Sequence, residues 1–167
     1  SRGLGDVYKR QVDESYPDTL SGEEIPLYIS QEKAAAYRRF MKDNTLLITA
    51  DTIVWLDGKV YGKPCDIADA KTMLQALSGK THTVITGVTL TSLQKQISFA
   101  VSTEVTFAAL GDDEIDYYVE KYRPLDKAGA YGVQEWIGYI GVTGLKGSYY
   151  NVMGLPIQRL YTELKKF

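Results

Sequence analysis

The chain has 167 residues, with 19 Lys and Arg against 21 Asp and Glu and a formal charge of −2. That length suits one domain able to bury a core without staples, and the slightly acidic balance excludes the basic face of a general nucleic-acid binder. The single cysteine, Cys65, excludes an internal disulfide framework, and no apolar run approaches the roughly 20 residues of a membrane span.

No signal peptide is visible, so a soluble cytoplasmic protein with no membrane partner is expected. Residues 1–11, SRGLGDVYKRQ, show neither helical nor strand periodicity and resemble a translated adapter sequence. They are expected to be a non-native leader; the plainer alternative is an ordinary disordered terminus. A single domain is expected over 12–167.

In chain order, Pro26 and an alanine-rich centre predict a helix over 26–42, with Leu27, Ala34, Tyr37 and Met41 on one face. TLLITADTIVWL then reads as a strand, Asp57-Gly58 as a two-residue hairpin turn, and KVYG as the returning strand. Asp66 caps a second helix carrying Ile67, Ala70, Met73, Leu74 and Leu77 at helical spacing, and Gly79 ends it. THTVITGVTLTS and ISFAVSTEVTFAAL are two long strands joined by a polar turn around residues 94–96. A helix follows with Asp112, Asp113 and Glu114 in its first turn, Lys121 and Arg123 in its last, and Pro124 as its stop. After a glycine-rich stretch, a last helix begins near Pro156, with Ile157, Leu160, Tyr161 and Leu164 toward the core. This order predicts an α/β domain with a mixed, largely antiparallel sheet.

One residue does not fit its surroundings. Asp51 sits within an apolar strand, where an unpaired carboxylate costs several kcal/mol. Alternation places it on one face with Leu47, Thr49, Ile53 and Trp55, and Thr52 on the other. Backbone donors at a strand end could satisfy it. Three other residues favour a functional charge: Lys63 just beyond the hairpin, Lys33 in the first helix, and Glu14 in VDES. Two carboxylates with two lysines suit a hydrated divalent cation beside phosphates.

Together, VDES, EKA, ADTIVWLDGKVYGKP, ALSGKTHTVITGV, KAGAYGVQ and GSYYNVMGLP resemble the Maf family of nucleoside triphosphate pyrophosphatases, in order from Val12 to the C-terminus. The resemblance implies an elongated α/β fold of two lobes around a central cleft, a divalent metal cofactor (Mg²⁺ or Mn²⁺), a cytoplasmic setting and often a homodimer. It implies hydrolysis of a nucleoside triphosphate between the α and β phosphates. On the matching positions, Asp51 becomes the proton acceptor and, with Glu14, a metal contact, while Lys33 and Lys63 neutralise triphosphate charge. Thr52 and Gln134 resemble the pair of the branch acting on dTTP and UTP, with modified pyrimidine nucleotides as further candidates. A Gln amide offers one donor and one acceptor to a uracil-like edge, though alone it could equally cap a strand end.

The alternatives are the 7-methyl-GTP branch and a non-catalytic nucleotide-binding regulator of septum formation. Proteins of this family open with a strand and a Ser-x-Ser-Pro-Arg-Arg loop that binds triphosphate; here SRGLGDVYKRQ stands in that place. The chain as written is therefore expected to lack that strand and to work slowly. His82, the lone histidine, is expected to be structural, Cys65 a bystander, and GVTGLKG a set of turns.

Overall fold

The structure is a computed structural model and describes residues 12–167. The expectations for residues 1–11, and for a first strand there, fall outside the described residues.

Five strands form one open sheet, β1 (Leu47–Leu56), β2 (Lys59–Tyr61), β3 (Thr81–Thr91), β4 (Gln96–Phe107) and β5 (Val142–Lys146). Their spatial order is β2-β1-β3-β4-β5, and every pairing among the described residues is antiparallel. The expected parallel component is absent from that set. Asp57 and Gly58 take φ of 51° and 77°, the left-handed pair that a tight hairpin needs, and they fold β2 back on β1. β5 corrects the sequence reading: GVTGLKG is largely an edge strand, paired with β4 across a register shift at Thr106 and Phe107. The three glycines of that stretch had hidden the alternation.

One face of the sheet is covered by α1 (Glu24–Arg38), which buries Ile25 and Ile29 against Ile53 and Ile85. Each such aliphatic side chain contributes about 1.5–3 kcal/mol. The helix starts two residues before the expected point, with the Glu24 carboxylate accepting the Ser21 N–H, and stops at Arg38 rather than residue 42. Met41 is thus outside it, and the buried stripe runs through Ile25, Ile29 and Ala34 instead of Leu27 and Tyr37.

The opposite face carries α2 (Ile67–Leu77), α3 (Asp112–Tyr122), α4 (Trp136–Gly141), the one-turn α5 (Tyr149–Val152) and α6 (Ile157–Lys166). Asp66 caps α2 by accepting the Asp69 N–H at 2.7 Å, as its position predicted. Ala70, Leu74 and Leu77 join Val54, Val84, Val105, Tyr118 and Ile137 in the largest core cluster. On α6 only Leu160 is fully buried. Ile157 and Tyr161, expected inward, are 48% and 60% exposed, because the helix touches the sheet along one narrow line with Val88, Leu90 and Phe99.

Candidate active site

β2 pairs only with residues 54–56 of β1. Among the described residues the preceding stretch of β1 therefore has a strand neighbour on the β3 side alone, and a cavity of about 260 Å³ opens there. Asp51 and Thr52 point to opposite faces, yet both line it, together with Lys33, Lys63 and Gln134. Five of the six residues singled out from the sequence thus meet in one place. Glu14 is not in the wall but bonds to two residues that are.

Asp51, Lys33, Glu14 and Lys63 form a chain of alternating signs. Lys33 Nζ donates to Asp51 Oδ1 at 2.9 Å and to the Ala50 carbonyl at 3.3 Å, and lies 3.0 Å from Glu14 Oε1. Lys63 Nζ donates to both Glu14 oxygens at 3.2 Å. The sequence placed Lys63 beside Asp51. Its bonds go to Glu14 instead, because the chain leaves the sheet after Tyr61, and it acts on Asp51 only through space.

Side-chain exposure rises along this chain, 9% for Asp51, 20% for Lys33, 39% for Glu14 and 53% for Lys63. Asp51 is therefore the least hydrated charge. Burial pushes its carboxyl above the ordinary aspartate range, Lys33 pulls it back only partly, and the Glu14 charge adds to the rise. For Lys33, desolvation works downward, but Asp51 and then Glu14 outweigh it and hold the ammonium above its usual value. The ion pair thus favours the lysine's charge more than the deeper acid's. Glu14 also feels desolvation upward, yet Lys33 and Lys63 prevail and keep it below the usual range. At neutral pH Lys33 is charged and Glu14 ionised, while Asp51 has raised proton affinity, a property suited to a general base.

The lining also carries uncharged polar side chains. Gln134 is exposed, and its amide has no hydrogen bond among the described residues. It does not cap a strand. The Thr52 hydroxyl is committed inward, 2.8 Å from the Thr86 hydroxyl and 3.4 Å from the Gly154 carbonyl. Thr52 therefore shapes the wall through Gly154.

Other residues of this wall escaped the sequence reading. Asp126 and Lys127 line the cavity, and Lys127 lies 3.0 Å from Asp126 and 3.2 Å from Glu135. Lys127 opens the KAGAYGVQ motif, so the signal was present, but only the glutamine had been singled out. Asn151 is fully buried and holds α5 on the sheet, its Nδ2 within 3.0–3.2 Å of the Val84 and Val101 carbonyls and the Thr103 hydroxyl. That fixes the adjoining Met153–Gly154 wall.

His82 is structural, as expected. Its Nε2 is 2.7 Å from the Tyr131 hydroxyl, and burial pushes its pKa down to about 4, so the ring is neutral. Cys65 is exposed and is not among the cavity's lining residues.

The donor set can be tested for a divalent cation. Asp51 and Glu14 are hard oxygen donors that converge on one ammonium, within 2.9 and 3.0 Å of it. Among the described residues no group of three or more His, Cys, Asp or Glu could hold a metal. Two carboxylates suit a divalent cation that keeps several waters and takes its remaining oxygens from phosphates.

Residues 2–167 match the family described as Maf-like protein. The chain is 65% identical to the dTTP/UTP pyrophosphatase of Phocaeicola vulgatus over 168 residues, 98% of this chain and 87% of that protein. It is 64% identical to the dTTP/UTP pyrophosphatase of Bacteroides fragilis over 93% of this chain and 80% of that one. Identity to the dTTP/UTP pyrophosphatase of Parabacteroides distasonis is 58%, over 93% and 81% respectively. The chain belongs to the Maf family.

Proposed function

We propose that this chain is a nucleoside triphosphate pyrophosphatase acting on dTTP and UTP, and on modified pyrimidine nucleotides of like shape, in a house-cleaning role. The observation that carries this reading is the cavity's polarity. Its wall joins Asp51, Lys33 and Lys63, with Glu14 behind the two lysines, to the unbonded Gln134 amide. The names of the relatives support the substrate class.

In the reaction, Asp51 accepts a proton from the attacking water, whose oxygen forms the new bond to phosphorus. The anhydride bond between the α and β phosphates breaks, its electron pair leaving with pyrophosphate and the nucleoside monophosphate remaining. Lys33 and Lys63 offset negative charge on the triphosphate as it shifts toward the leaving group. Asp51 and Glu14 would hold Mg²⁺ or Mn²⁺, which when bound supplies positive charge against the phosphate oxygens. Glu14 and Lys63 hold Lys33 between the two acids, so the base and its cation keep one geometry.

Thr52 and Gln134 themselves carry no charge, which suits an uncharged uracil-like edge better than a cationic methylated purine.

The same reading includes a single catalytic domain over 12–167, a cytoplasmic setting and a homodimer. No helix among the described residues is long and apolar enough to cross a membrane. Tyr149 and Tyr150, in ring contact with each other, and Tyr161 are exposed aromatic side chains available to a second copy.

The test is a nucleotide panel on the full chain with Mg²⁺ or Mn²⁺, following pyrophosphate. Release from dTTP and UTP ahead of CTP, ATP, GTP and 7-methyl-GTP is expected; preference for 7-methyl-GTP, or binding without release, refutes the proposal.

A further inference from the structure

Gln134 is the third residue of the turn 132–135, which is closed by the Glu135 N–H donating to the Gly132 carbonyl at 3.0 Å. Both ends of this turn are tied to one atom. The hydroxyl of Tyr118, from the middle of α3, donates to Glu135 Oε2 at 2.5 Å and accepts the Gly132 N–H at 3.0 Å. The Tyr118 ring is wholly buried and cannot follow if the turn shifts. Burial, and then the Glu135 carboxylate, push its phenol upward, so it remains a donor at working pH. The second Glu135 oxygen faces Lys127 Nζ at 3.2 Å.

Upstream, Gly129 and Ala130 both take positive φ, 69° and 59°. A non-glycine residue there persists only where its surroundings over-determine it. The Gly129 N–H bond to the Gly62 carbonyl and the Tyr131–His82 contact supply that constraint. The Gln134 amide itself has no anchor among the described residues. Where it sits depends on the turn.

On the functional reading above, we infer that Tyr118 and Glu135 are positioning residues for pyrimidine selectivity, holding the Gln134 amide in the cavity wall without touching the nucleotide. Tyr118 keeps the turn closed, and Glu135 joins that turn to Lys127.

Tyr118→Phe keeps the ring's packing and removes only the hydroxyl. The experiment measures kcat and KM for dTTP, UTP, CTP and GTP in the wild type, Y118F and E135Q, with amide hydrogen exchange at residues 132–134. In Y118F, KM for dTTP and UTP rises and kcat is retained, so selectivity over CTP and GTP falls about tenfold. Exchange of the Gly132 amide accelerates. E135Q moves selectivity the same way by less, since its amide oxygen still accepts from Tyr118, and it carries the test should Y118F not fold. Unchanged selectivity, or an equal loss on all four nucleotides, overturns the inference while leaving the functional reading intact. A wild type that hydrolyses neither dTTP nor UTP refutes the functional reading, and this inference with it.

Discussion

Asp51 lies directly across the β1–β3 ladder from Gly87, and the helix that supplies its lysine rests on that glycine. A Cβ at residue 87 would collide with the Pro26 carbonyl carbon and come within 2.5 Å of the Leu27 nitrogen, both backbone atoms of α1. Close seating brings the Ser30 hydroxyl within 2.8 Å of Thr89 and lets Ser30's carbonyl accept from Thr49 at 2.7 Å. Lys33 stands one turn further on. Gly87→Ala should therefore cost about 1–3 kcal/mol and lower kcat/KM with it, as α1 lifts and Lys33 leaves Asp51. Urea unfolding and pyrophosphate release check both; a stable, fully active variant means that the seating does not position the lysine.

Asp51→Asn should reduce turnover by roughly 10²- to 10⁴-fold, because an amide cannot take the water's proton. The fold should survive. Because the folded pKa of Asp51 is raised, the folded chain binds this proton more tightly than the unfolded one, and ionisation costs stability. That cost is fully present at neutral pH and is relieved as pH falls through the raised value. D51N should thus be at least as stable as the wild type at pH 7, with the gap closing in acid. A variant that turns over dTTP at the wild-type rate removes Asp51 from the mechanism.

The same shift sets the acid limb of the pH–rate profile. The base works only when ionised, so kcat/KM for dTTP should fall as pH drops through a pKa above the ordinary aspartate value of 3.8. Glu14, held low, stays ionised across that limb. A limb at or below 3.8 contradicts the desolvation ascribed to Asp51.

Gln134→Glu replaces the only donor of that side chain with a charge. Loss of a matched donor and acceptor in a desolvated site is worth about 1–3 kcal/mol, so kcat/KM for dTTP and UTP should fall by roughly 5- to 150-fold, with little change in melting temperature. Equal losses on every nucleotide tested would make the residue structural.

Asn151→Ala should destabilise by about 2–4 kcal/mol, since it leaves the Val84 and Val101 carbonyls buried without their side-chain donor. It should also raise KM, because Met153 and Gly154 move with α5. Denaturant midpoints and dTTP kinetics on the same preparation test the coupling.

The legible parts of this chain were those decided within a few residues. Asp57-Gly58 must turn, Asp66 must cap, and the alternation around Asp51 must put an acid opposite Thr52's face. The start of α1 was misplaced because the Glu24 carboxylate, which accepts the Ser21 N–H, recruits the chain ahead of Pro26. β5 was missed because an edge strand with Gly144 inside it depends on pairing with β4 for its existence. At the site, Asp51 and Lys33 stood out as charges in apolar settings, and Lys63 by its place just beyond the hairpin. That Lys63 bonds Glu14, and that Tyr118 among 13 tyrosines holds the turn, are contacts between distant segments with no local mark.

Glu14, Lys33, Asp51, Lys63 and Gln134 come from separate stretches of the chain, so a form with any one of those stretches unfolded lacks part of the proposed site. A nucleotide that needs them all binds only the finished molecule, raising its stability by about 2.7 kcal/mol at a hundred times Kd. Proteolysis in a cell acts largely on the transiently open chain. Abundant substrate therefore lengthens the lifetime of the enzyme that destroys it, and a depleted pool shortens it, with no dedicated regulator.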